Sequence, residues 1–160
     1  MRFRTSNPGS GDAQAMLTQY TAHLVDTVPD GFDISTDSPP PEGSFEAPNG
    51  RFLVAYDTTT DPSTPIGCGA VWVIRPGVAE IRRMWITPSH QGQGLGRAML
   101  EALEAAAIEL GCHTARLDSM HALEAAVAMY RSHGYQEIEN YNDNPNATIW
   151  MQRPLPTGDG

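Results

Sequence analysis

Between Glu80 and Arg97 the chain reads EIRRMWITPSHQGQGLGR, and this stretch holds the residues best suited to chemistry. Thr87-Pro88 interrupts an apolar run, after which Gly92, Gly94 and Gly96 fall on alternate positions before a helical stripe begins. A glycine turn that opens a helix offers a row of backbone N–H groups at the positive end of the helix dipole, a site for an anion and above all for phosphate. Glycine also lets the backbone approach a ligand with no Cβ between them. Arg97, next in line, adds a charge-assisted contact. The anion is not held by a Walker A loop, which needs GxxxxGK[ST], because the chain contains no lysine. A dinucleotide fingerprint, GxGxxG, also fails, since the spacing from Gly92 and Gly94 reaches Arg97. What remains is Gln91-x-x-Gly94-x-Gly96. Upstream, Glu80 is a charge within a strand pattern, either an exposed cross-strand partner for Arg82 or a carboxylate facing a cleft. Downstream, Tyr130 lies on a helical stripe, where pattern alone makes it a core aromatic.

The surrounding elements must position these groups. Ala13, Met16, Leu17, Tyr20 and Leu24 recur at helical spacing, with Ser10 or Asp12 as the capping oxygen, so a first helix is expected from Asp12 to about Val25. Residues 29–50, rich in Pro, Gly and Ser, read as a long loop with at most a short helical turn, and a loop of that length is often functional. Arg51–Tyr56, Ile66–Ile74 and Val78–Ile86 read as strands of an antiparallel meander, joined by the polar Asp57–Pro65 loop and the Arg75-Pro76-Gly77 turn. A helix from Leu95 to Leu110 stops at Gly111. A short strand near His113–Leu117, a helix carrying Ala122, Ala125, Ala126, Met129 and Tyr130 up to Gly134, and strands at Tyr135–Ile138 and Thr148–Gln152 follow. The expected class is α/β with a mixed sheet, a meander followed by β-α-β-α and final strands, helices lying on the sheet faces. One domain is expected over residues 1–153, with 154–160 a frayed tail.

The glycine loop, placed after a strand and opening a helix, resembles the pyrophosphate loop of the GCN5-related N-acetyltransferase (GNAT) superfamily, [QR]-x-x-G-x-[GA]. ALEAAVAMYRSHGY, residues 122–135, is similar to that family's late helix, with Tyr130, Gly134 and Tyr135 in the positions of its tyrosine, helix-ending glycine and following aromatic. The likeness runs from about Phe52 to Met151. It implies a GNAT-type acyl-CoA N-acyltransferase fold and transfer of an acetyl group from acetyl-CoA to a primary amine by direct attack, without an acyl-enzyme. Gln91, Gly92, Gln93, Gly94, Leu95, Gly96 and Arg97 then hold the pyrophosphate. The backbone of Met84, Trp85 and Ile86 pairs with the pantetheine arm as an added strand. By the resemblance, Tyr130 points at the coenzyme sulfur and is the general acid, and Glu80 is the candidate general base, acting directly or through water. One departure is Leu123, where many members carry an Asn that touches the cofactor arm. The alternative reading is an acyl-CoA-binding sensor or regulatory domain without catalysis. A homodimer is expected by analogy.

Bulk properties narrow the partners. The 160 residues, 40 % hydrophobic, suffice for a folded core, and the net charge of −9 argues against nucleic acid. No apolar run approaches the ~20 residues of a membrane span, and the start lacks a secretory layout, so a cytoplasmic location is expected. Cys68 and Cys112 read as buried free thiols, and the five scattered His show no metal-ligand spacing, so no metal is expected. The absence of lysine removes Schiff-base chemistry. Acidic residues crowd the segment from Asp26 to Asp61 around a single Arg51; they solvate loops or attract substrate, and the expected acceptor is cationic. Tyr141-Asn142-Asp143-Asn144-Pro145 is either a structural turn or a wall of the acceptor site.

Overall fold

In the computed structural model, which describes residues 1–27 and 40–156, strands β1 (Arg2–Thr5), β2 (Gly50–Asp57), β3 (Thr64–Arg75), β4 (Val78–Ile86), β5 (Thr114–Ser119), β6 (Gln136–Ile138) and β7 (Ile149–Pro154) form one sheet. Its order is β1-β2-β3-β4-β5-β7-β6. Helices α1 (Gly11–Thr27), α2 (Leu95–Glu109) and α3 (Glu124–Ser132) complete the fold. The meander of β2, β3 and β4 is antiparallel, as expected, whereas β4 and β5 are parallel. A parallel pair needs a crossover, and α2 supplies it.

Alternation along the strands builds a core on each face of the sheet. Leu53, Val71, Ala79, Ile81, Leu117 and Met151 pack with Met99, Leu100 and Leu103 of α2. Phe52, Val54, Cys68, Ala70 and Trp85 pack with Ala13 and Met16 of α1. Ser10 caps α1, its Oγ accepting the Ala13 amide at 3.2 Å. Both cysteines are buried free thiols, as the sequence suggested. Burial pushes the Cys68 thiol up to about 12. Among the described residues no helix is long and apolar enough to cross a membrane.

Two features position the site. First, β4 and β5 pair only over Val78–Glu80 and Thr114–Arg116, then separate. The β3–β4 register shifts between Cys68 and Ala70, opposite Trp85 and Arg82, and Arg83 in the extra turn of chain has φ 57°. Such a bulge bends and over-twists its strand, which carries β4 away from β5. Second, α3 is fixed by a buried carboxylate on α2. Glu104, 5 % exposed, accepts from His133 Nε2 at 2.8 Å, the Tyr135 hydroxyl at 2.8 Å and Arg153 at 2.9 Å.

The structure departs from sequence expectation in three places. β1 was not anticipated: four residues, only Phe3 of them packed on the core, give too short a pattern to register. α3 starts at Glu124, so Ala122 and Leu123 precede it, Leu123 being its N-cap with no side-chain capping bond. β7 runs through Pro154, and Leu155 is buried with its amide bonded to the His113 carbonyl at 2.8 Å, so these two residues belong to the sheet and core rather than to a frayed end. Of the long loop at 29–50, residues 29–39 lie outside the described residues, and 42–49 run as successive turns.

Candidate active site

A cavity of about 860 Å³ fills the gap between the parting strands, running from the N-terminus of α2 to α3. At its mouth, Gly92 and Gly94 both have φ 79°, a backbone conformation that L side chains rarely adopt. A Cβ built on either meets nothing within 4 Å, so the backbone stands open to the cavity. Gly94 is the N-cap of α2, and the next three amides, of Leu95, Gly96 and Arg97, have no acceptor within the helix. Gly96 serves packing instead, since a Cβ there would lie 3.4 Å from Met129 Sδ on α3.

Side chains behind the loop hold it in place. Gln91 Nε2 donates to the Ile86 carbonyl at 2.8 Å, tying the loop to the end of β4. His90 Nε2 pairs with Asp57 Oδ2 at 3.1 Å. The Thr59 hydroxyl and amide, with His90, hold the Asp57 carboxyl down at about 2. Arg97 donates to Ser132 Oγ at 2.7 Å, joining α2 to α3. Along β4, Trp85 and Ile86 pair with β3 on one side only, which leaves the other backbone edge facing the gap. The Trp85 side chain turns into the α1 core and donates to Gln19 Oε1 at 3.0 Å.

At the inner end the cavity is lined by Tyr130, Asp118 and Tyr20, from α3, β5 and α1. Tyr130 is 8 % exposed, and among the described residues its hydroxyl has no hydrogen-bond partner. A phenol hydroxyl that is open to the cavity and has no protein partner is free to bond a ligand there. Burial, with the Asp118 charge adding to it, pushes this phenol up to about 12. The Tyr20 phenol is raised for the same first reason, with Tyr130 and Asp118 adding. Asp118 Oδ2 accepts from Asn142 Nδ2 at 2.6 Å and Asn144 Nδ2 at 3.2 Å, both on the β6–β7 connection. Desolvation raises the Asp118 carboxyl above the usual aspartate value and the charge of Glu80 raises it further, against the pull of the two asparagines and Arg82.

The cavity thus gathers Met84, Trp85, Ile86, Gln91, Gly92, Gly94, Leu95, Gly96, Arg97 and Tyr130 from the residues anticipated in the sequence. Gln93 and Glu80 are not among its lining. Glu80, 2 % exposed, is enclosed by Trp72 Nε1 at 2.9 Å, the Tyr141 hydroxyl at 2.7 Å, Asn142 Nδ2 at 3.0 Å and Arg82 at 3.4 Å, and it lines a second cavity of about 380 Å³. Asn142 Nδ2 touches both carboxylates and so links Glu80 to Asp118. Sequence reasoning missed Asp118 and Tyr20, whereas the Tyr141–Pro145 segment, read as either a turn or an acceptor wall, supplies the two asparagines. Alternation along β5 puts Asp118 on the same face as Arg116, whose strand partner is Glu80, and this was the one available signal.

Residues 18–135 match the model of the acetyltransferase (GNAT) family. An uncharacterized N-acetyltransferase of Schizosaccharomyces pombe is 32 % identical over 114 residues, covering 71 % of this chain and 68 % of that protein. A solved Klebsiella pneumoniae chain described as an acyl-CoA N-acyltransferase superposes with a TM-score of 0.73 at 29 % identity, covering 96 % of this chain and 97 % of its own. An acetyltransferase of Salmonella typhimurium, solved with its cofactor acetyl-CoA, shares the fold at TM-score 0.68 and 18 % identity, over 98 % of this chain and 94 % of that one. The mixed sheet with its parted β4 and β5, the glycine-opened helix and the match over most of the length agree: this chain belongs to the GNAT family of acetyltransferases.

Proposed function

We propose that the chain transfers the acetyl group of acetyl-CoA to a primary amine, with Tyr130 as general acid and Asp118, rather than Glu80, as general base. The observation that carries this reading is the inner end of the cavity. An unpartnered tyrosine hydroxyl and a desolvated carboxylate meet there, in a gap whose other end is an open helix N-terminus.

The residues present fit the coenzyme. Three amides without acceptors and two glycines with open space above them suit a pyrophosphate. The unpaired backbone edge of β4 suits an extended amide-bearing arm. Bound acetyl-CoA supplies a thioester whose carbonyl carbon forms a bond to the amine nitrogen as the carbon–sulfur bond breaks. Asp118 takes one proton from the incoming ammonium. Tyr130 gives its proton to the departing sulfur and recovers one from the newly acylated nitrogen, so one proton in net leaves through Asp118. With its phenol pushed up to about 12, Tyr130 stays protonated through the neutral range and is an acid rather than a base. Glu80 is a positioning residue. Its carboxylate fixes Asn142, which orients Asp118, and its charge keeps Asp118 basic.

The test is thermal unfolding with acetyl-CoA, CoA, NAD and ATP, followed by thiol release with a panel of amines. A ligand at ~100 times its Kd adds ~2.7 kcal/mol of stability. Stabilisation by acetyl-CoA and CoA alone, and transfer that falls by ~10² in Tyr130→Phe, are expected. Stabilisation only by NAD or ATP would overturn the reading. Coenzyme binding with no transfer to any amine would favour a sensor domain.

A further inference from the structure

The second cavity, on the α1 face of the sheet beside the first, has an electrostatic character unlike the rest of the chain. Three of the ten arginines, Arg75, Arg82 and Arg116, line it in a protein of net charge −9. Glu80 is the one carboxylate among its described lining, and it is already engaged by Trp72, Tyr141, Asn142 and Arg82. Arg116 is held in place. Its Nε donates to Gln152 Oε1 at 3.1 Å, and its guanidinium carbon lies 5.2 Å from the centroid of the Tyr141 ring. Those contacts fix the plane of the guanidinium, while among the described residues its two terminal nitrogens carry no hydrogen-bond partner. A stacked, oriented guanidinium with its outer edge open is suited to a bidentate carboxylate.

Arg82 lines both cavities, and Asn142 Nδ2 joins Glu80 of the second to Asp118 of the first. Arg116 and Asp118 stand two residues apart on one face of β5, ~7 Å along the strand. A charge-assisted hydrogen bond spans ~2.8 Å, and an α-amine nitrogen lies ~2.5 Å from its own carboxyl carbon. The amine and carboxylate of one α-amino acid are thus closer together than the ~7 Å that separates the Arg116 and Asp118 backbone positions.

We propose that the acceptor is a free amino acid, its carboxylate held by Arg116 with Arg75 contributing charge, and its amine presented to Asp118. The proposal rests on the amine-acetyltransferase reading above. It replaces the cationic acceptor expected from the acidic first half of the sequence with a zwitterion, because the described residues around this cavity carry more arginine than carboxylate.

The experiment measures thiol release from acetyl-CoA by the full chain, whose own cysteines are both buried. The acceptors are the twenty standard amino acids together with amines that lack the carboxylate: 2-phenylethylamine, tyramine, histamine, agmatine, cadaverine and spermidine. Transfer to at least one amino acid is expected, with kcat/KM ~10–100 times that of its carboxylate-free counterpart, the range for a hydrogen-bonded charge. Arg116→Gln should raise KM for that amino acid by a similar factor with little change in kcat, and so bring the ratio between the two acceptors towards one. Arg75→Ala, at an exposed position where folding is not at stake, should shift the ratio in the same direction by less. Carboxylate-free amines acetylated as well as or better than amino acids would overturn the proposal while leaving the enzyme an amine acetyltransferase. Release of thiol with no acceptor of either kind would overturn both. An unchanged acceptor ratio in Arg116→Gln would remove Arg116 from recognition.

Discussion

Asp118→Asn separates the base proposed here from the one the sequence suggested. The substitution keeps shape, and an amide oxygen in place of Oδ2 still accepts from Asn142 and Asn144, so the β6–β7 connection stays anchored. What disappears is the proton acceptor. An alkylammonium of pKa ~10 is deprotonated to about one part in 10³ at pH 7. Without a base the site can use only that fraction, and turnover at pH 7 should fall by ~10²–10³, within the range for general-base removal. The deficit should shrink as pH rises, to ~10-fold at pH 9, where about a tenth of such an amine is free. In the parent protein the acid limb of kcat/KM should lie above the ordinary aspartate value, because burial and the Glu80 charge raise Asp118. Glu80→Gln removes the second of these and should move that limb to lower pH. Stability supplies a control. A carboxyl raised on folding binds more protons in the native state, so its effect on stability worsens as pH rises from the unfolded value through the folded one. Removing its charge should therefore leave the melting temperature at pH 7 unchanged or higher. The assay is steady-state thiol release between pH 5.5 and 9.5, with coenzyme binding measured alongside. A rate within threefold of the parent at pH 7, or an unaltered acid limb, would refute Asp118 as base.

Two further outcomes test the supports of the site. Glu104→Ala leaves His133, Tyr135 and Arg153 facing a vacancy, and breaking a buried charged pair costs ~3–5 kcal/mol. Thermal unfolding should show the melting temperature lowered by about 10 °C, and Glu104→Gln should lose less. Gly94→Ala forces an L residue to φ 79°, at ~1–2 kcal/mol, and sets a methyl group over the helix N-terminus. Calorimetry should find coenzyme affinity lowered by at least ~10-fold, or ~1.4 kcal/mol, and since the strain is present with and without coenzyme, that loss reports the methyl group.

The glycine loop was legible because its geometry lies in the backbone. Positive φ at Gly92 and Gly94 and free amides at a helix start are properties that residue type and spacing announce directly. The α2 stripe and the Tyr130 helix were legible for a related reason, since 3.6-residue periodicity survives in one dimension. Two short-range features stayed hidden. β1 has four residues with one packed side chain, and Leu155 is buried in the core with its amide bonded to His113, contacts that sequence neighbours do not reveal.

Which carboxylate lines the cleft was illegible for a deeper reason. Whether a carboxylate on β4 or β5 reaches the reacting atoms depends on where those two strands separate. That point is set by the bulge at Arg83, a residue whose type gives no sign of positive φ. The pairing ends at Glu80 and Arg116, so Glu80 lies where the strands are still joined, roofed by Tyr141 and Asn142. Asp118, two residues beyond the last pair, stands at the opening. In the sequence the two acids differ little, Glu80 a charge inside an expected strand and Asp118 directly after one. The bulge makes them different: one holds an asparagine in place, and the other faces the cleft. A chain in which Arg83 could not adopt positive φ would keep β4 and β5 paired for longer. Both the cavity and the distinction between its two carboxylates would close together.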